Sequence, residues 1–120
     1  MQDIKHHEMV TALVKSPAAI IPQLTEEKVD LIHAIMGISG EAGELLDAIK
    51  KAAIYDKPLD RENVVEELGD IEFYMEQLRQ RLGITREETL DANISKLRKR
   101  YDGLRYSDQA AHARADKADG

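Results

Sequence analysis

A chain of 120 residues with 33% charged and 4% aromatic side chains has room for one domain, and its Leu, Ile, Val, Ala and Met core suits helices better than sheets. The net charge of −6 argues against a nucleic-acid-binding surface, and no apolar run approaches the length that spans a bilayer. There is no cysteine, hence no disulfide framework or thiolate metal site, and no signal-type apolar segment follows His7, so a soluble cytoplasmic protein is the expectation.

Gln2 to Lys15 carries a short helical pattern with Ile4, Met9, Val10, Leu13 and Val14 apolar. Ser16-Pro17 stops it, and Pro22 predicts an extended linker. Thr25 is the natural N-cap of a long second helix reaching about Tyr55, with Glu26 and Glu27 in its favourable first turn. Its apolar positions, Leu31, Ala34, Ile38, Ala42, Leu45, Ile49 and Ala52, recur by threes and fours. Gly37, Gly40 and Gly43 interrupt it, each costing up to about 1 kcal/mol against alanine. They permit a kink, a close helix approach or contact with a ligand. Asp56 to Asp60 form the turn. The third helix, Arg61 to about Leu82, has a stripe of Val64, Leu68, Ile71, Met75, Leu78 and Leu82, and Gly83 stands at its C′ position. Thr85-Arg86-Glu87-Glu88 is a capping box that opens a fourth helix to about Asp102. Residues 1–106 form a single domain in this reading, and 107–120 a polar, mobile tail.

Two acidic pairs stand out, Glu41/Glu44 on the second helix and Glu67/Asp70 on the third. Spacing i, i+3 puts each pair on one helix face. Packed antiparallel, the two helices would bring four carboxylates to one point, where like charges do not gather without a cation. Oxygen-only ligands suit Mg²⁺, with Mn²⁺ an acceptable substitute, rather than zinc or copper. One such pair alone is an ordinary solvated face; two pairs on consecutive helices, with 22 residues between Glu44 and Glu67, make a stronger pattern. On a helical wheel these carboxylates, and Asn93, Lys96 and Arg100 on the fourth helix, fall at the shoulder of the apolar stripes, offset in the same sense. His33 shares a face with Gly37 and Glu41. It is placed to touch a base, although a hydrogen-bonded helix histidine is the simpler reading.

Together these residues resemble the Glu-x-x-Glu, spacer, Glu-x-x-Asp signature of the all-α MazG-type nucleoside triphosphate pyrophosphohydrolases, in particular the short single-domain, phage-borne forms. Gly40-Glu41-Ala42-Gly43-Glu44 with Lys50-Lys51 matches the first motif, Glu66-Glu67-Leu68-Gly69-Asp70 the second, and Asn93 to Tyr101 the downstream nucleotide-contact segment. Asp102 stands where many relatives have proline. The resemblance implies a four-helix MazG-like bundle completed by oligomerisation. It also implies cleavage of a nucleoside triphosphate between the α- and β-phosphates, giving a monophosphate and pyrophosphate. Glu41, Glu44, Glu67 and Asp70 would hold Mg²⁺, and Glu41 or Glu44 would take the proton of an attacking water. Lys51, Asn93, Lys96 and Arg100 would contact the nucleotide. Single-sided stripes on so short a chain bury little, which predicts a homo-oligomer, dimer or tetramer. Two rivals are a pyrophosphohydrolase for a modified nucleotide and a non-catalytic helical oligomer with a structural cation site. A carboxylate-bridged di-iron bundle would need Glu-x-x-His pairs, which neither Glu41 nor Glu67 begins.

Overall fold

The computed structural model describes residues 3–114 and 116, and among these every regular element is helical. Helix α1 spans His6–Leu13, within the predicted first segment. The proline linker differs from the expectation of extended chain. Ser16 Oγ accepts from the Ala18 N–H at 3.2 Å, and Pro17 takes the first helical position, where a missing N–H costs nothing. A helical turn, α2 (Pro17–Ile20), therefore forms and tightens into a 3₁₀ turn at Ile21–Gln23.

Helix α3 (Glu26–Ala53) starts where Thr25 Oγ1 accepts from the Lys28 N–H at 3.2 Å. Helix α4 (Arg61–Leu82) is capped by Asp60, whose carboxylate accepts from the Asn63 N–H at 3.0 Å. Its far end closes on Gly83, at φ +67°, where the Gly83 N–H reaches back to the Arg79 and Gln80 carbonyls. Only a residue comfortable with positive φ ends a helix this way at low cost. Both bonds of the Thr85–Glu88 capping box are present, at 2.9 and 3.0 Å, and open α5 (Arg86–Arg100).

The dominant packing is the antiparallel pair α3/α4. Contacts climb along α3 as they descend along α4. Gln77 Nε2 donates to Asp30 Oδ1 at 2.7 Å, Arg81 pairs with Asp30 at 3.7 Å, Tyr74 lies over Gly37, and Glu67 meets Glu41. Ala34, fully buried, sits in this seam. Of the three glycines in α3, Gly37 is the one that a close approach requires: a Cβ there would stand 2.3 Å from the Tyr74 ring, while Gly40 and Gly43 meet nothing within 4 Å.

A hairpin of two helices leaves much apolar surface open. Met36, Leu46, Val65 and Phe73 are each about two-thirds exposed, and Leu68 and Leu82 of the predicted stripe, with Leu90 and Ile94 of α5, are 44–50% exposed. The radius of gyration is 20.5 Å, against about 14 Å for a compact domain of this length. The four-helix bundle is thus not closed within one chain. Helix α5 makes no extended packing against the hairpin; its neighbours are the segments that follow it. There the chain reverses at Gly103 and Leu104, both at positive φ, and α6 (Asp108–Ala113) folds back against α5. Residues 115 and 117–120 of the predicted tail lie outside the described residues.

Candidate functional site

The antiparallel register carries Glu41 of α3 and Glu67 and Asp70 of α4 to one point on the seam. One oxygen from each lies within 4.8 Å of the others, with Glu41 and Glu67 half-buried and Asp70 exposed. Glu44 is exposed one turn further along α3 and stands outside this group of three, though its charge still acts on Glu67.

Glu67 is the unusual group. Among the described residues, its Oε2 is buried without a hydrogen-bond partner. Its neighbour Glu41 is another carboxyl, so the two form a hydrogen bond only when one carries a proton, a protonated Glu67 donating to the Glu41 carboxylate. That bond is the main cause pushing Glu67 up from 4.5 to about 7; lost hydration and the charges of Glu41, Asp70 and Glu44 add to it. A site that makes a carboxylate hold its proton near neutral pH is short of positive charge. Hard oxygen donors, one of them orphaned, are a donor set that a divalent oxygen-preferring cation fits.

The other residues expected at the site stand on other turns of α3 and on α5. His33 lies two turns before Glu41, with its Nδ1 3.3 Å from Gln77 Nε2 and its ring edge-on to Tyr74 at 6.0 Å. It behaves as a hydrogen-bonded helix histidine in the seam. Lys51 forms an exposed pair with Asp47 at 3.1 Å. Asn93 and Lys96 are exposed on α5. Arg100 is engaged by the chain itself: its Nε donates to Asp116 Oδ1 at 3.1 Å and its Nη2 lies 3.5 Å from Oδ2. Within the single chain, three of the four expected carboxylates come together, while Asn93, Lys96 and Arg100 stand on a different helix.

Two features carried no signal in the sequence pattern. Arg79 is the buried charged residue among those described, 7% exposed, held by Glu76 at 3.5 Å and Glu72 at 3.8 Å. Its i, i+3 acid was visible, its burial was not. Asp116 pairs with Arg100 across 16 residues, a distance that no periodicity encodes.

The fold and site define a class, all-α proteins that present a carboxylate cluster on an antiparallel helix pair. The MazG nucleotide pyrophosphohydrolase domain matches residues 34–104, more than half of the chain, and the chain belongs to that family. The matched stretch includes all three clustered carboxylates and α5. The chain is also similar to the Gene 37 protein of Mycobacterium phage L5, 34% identical over 77 residues, which cover 60% of this chain and 67% of that one. No solved structure matches it. No helix among the described residues is long and apolar enough to cross a membrane.

Proposed function

We propose that this chain is a Mg²⁺-dependent nucleoside triphosphate pyrophosphohydrolase that splits its substrate between the α- and β-phosphates into a nucleoside monophosphate and pyrophosphate. The observation that carries the reading is the Glu41/Glu67/Asp70 cluster with its orphaned Glu67 oxygen, inside a nucleotide pyrophosphohydrolase domain. Those three carboxylates would hold the cation. When bound, a divalent cation supplies charge neutralisation for the polyphosphate and lowers the pKa of water near it.

The remaining roles belong to the chain's own groups. Glu44, one turn from Glu41 and outside the cluster, is free to accept a proton from the attacking water, which separates it from the cation-holding Glu41. Tyr74 against Gly37 fixes the distance between the helices, and with it the spacing of Glu41 from Glu67 and Asp70. Lys96, Arg100 and Asn93 on α5 are suited to the phosphates, whose developing charge they would stabilise. Helix α5 does not pack along the acidic hairpin of its own chain. The reading therefore includes a homo-oligomer, dimer or tetramer, that covers the exposed stripes.

The test is a turnover panel of ribo- and deoxyribonucleoside triphosphates, with modified bases included, read by phosphate release coupled to a pyrophosphatase. Turnover with Mg²⁺ that vanishes in EDTA is expected. Cation binding without turnover of any nucleotide would leave a structural cation site in place of an enzyme.

A further inference from the structure

We infer that the last turns of α5 form a polyphosphate-binding site, built from Ser95, Lys96, Lys99 and Arg100, that the chain's own Asp116 occupies and holds shut. Ser95, Lys96, Lys99 and Asp116 line one pocket of about 240 Å³. Arg100 grips the carboxylate of the lining Asp116 with Nε and Nη2 at 3.1 and 3.5 Å. The side chains of this pair are only 17% and 5% exposed, so the carboxylate is drawn in rather than resting on the surface. A guanidinium fork matches carboxylate and phosphate oxygens alike, so the carboxylate takes the place that a phosphate would fill.

Basic residues in a last turn are ordinary, because they offset the negative end of the helix dipole. That accounts for Arg98, Lys99 and Arg100 as a composition. It does not account for the chain returning to deliver an acid. The return is built by several local devices. Positive φ at Gly103 and Leu104 reverses the backbone, the Tyr101 and Tyr106 rings pack at 5.6 Å, and Ser107 caps α6 by accepting from the Ala110 N–H at 3.0 Å. The result is an intramolecular competitor for the anion. A latch closed about nine-tenths of the time lowers the apparent affinity of the site about tenfold.

The role given to the phosphates rests on the proposed activity, so the test is made without turnover. Inorganic tripolyphosphate is titrated calorimetrically into the full chain at fixed ionic strength in EDTA, which removes any contribution from the carboxylate cluster. Asp116→Asn, and a chain ending at Arg114, should each bind about tenfold more tightly than wild type. Asp116→Glu should stay close to wild type, and adding Arg100→Gln to Asp116→Asn should abolish the gain. Circular dichroism checks that each variant is folded; the two independent ways of removing the acid guard against one failing to fold. Equal affinity in all forms overturns the latch, and weaker binding in Asp116→Asn overturns it too, because Asp116 would then help build the site. Absence of nucleotide turnover in wild type would defeat the proposed activity while leaving this titration readable.

Discussion

Replacing Gly37 by alanine should destabilise the fold, against the usual direction for a glycine inside a helix. Alanine normally gains about 1 kcal/mol at such a position. Here its Cβ would stand 2.3 Å from Tyr74 Cγ and Cδ1 and 2.5 Å from Cε1. Ordinary carbon contacts begin near 3.5 Å, so the overlap exceeds an ångström. Cγ is the root of the ring, and moving it requires a new χ1 or a wider helix pair. Phe73 at 5.1 Å and His33 at 6.0 Å, both edge-on, flank the ring. Overpacking of this kind costs about 1–3 kcal/mol, which outweighs the propensity gain for a net loss of about 0–2 kcal/mol. Gly40→Ala is the control, because a Cβ there meets nothing within 4 Å and should raise stability by up to about 1 kcal/mol. The difference between the two variants, about 1–3 kcal/mol, corresponds to roughly 4 °C or more in melting temperature. Thermal unfolding followed by circular dichroism in EDTA measures it. A Gly37→Ala protein as stable as Gly40→Ala would show that Tyr74 does not set the helix spacing.

Further outcomes follow from the site and the open surface. Glu67 keeps its proton to about pH 7 when folded but loses it near 4.5 when unfolded. Between those values the folded state holds the extra proton, so metal-free stability falls as pH rises through that window and levels off above it; Glu67→Gln should flatten the profile in calorimetric scans. Millimolar Mg²⁺ should raise the melting temperature more at pH 8 than at pH 5, since protons and the cation compete for the same carboxylates. Light scattering during size-exclusion chromatography should give two or four times the 13.5 kDa chain mass at micromolar concentration, and a stable monomer would refute assembly.

The features legible in the sequence are those with local causes. Thr25, Gly83 and the Thr85–Glu88 box mark helix ends through bonds that span three or four residues, and the structure forms each of them. The acidic pairs were legible because i, i+3 spacing and an antiparallel partner fix where carboxylates meet; Glu41, Glu67 and Asp70 do meet. Glu44 lies outside that point because one more helical turn carries it along the axis, which a wheel projection does not show. The Ser16-Pro17 pair reads equally as a stop and as a cap, and the capping bond decides for a turn. The tuck of Tyr74 into Gly37 and the return of Asp116 to Arg100 depend on partners 37 and 16 residues away, beyond the reach of any periodicity. The apolar stripes were legible as faces, yet much of their area stays exposed, because a period reports which side is apolar and not what covers it.

The most direct measurement is phosphorus-31 NMR of the products from a nucleoside triphosphate incubated with wild type and with Asp70→Asn, each with Mg²⁺ and with EDTA. The amide keeps the shape of the side chain and removes a charge that the cation needs. Wild type with Mg²⁺ should convert the triphosphate resonances into those of a nucleoside monophosphate and pyrophosphate, and the other three samples should leave them unchanged. Release of orthophosphate and a diphosphate, or full conversion by Asp70→Asn, would contradict a metal-dependent pyrophosphohydrolase centred on Glu41, Glu67 and Asp70.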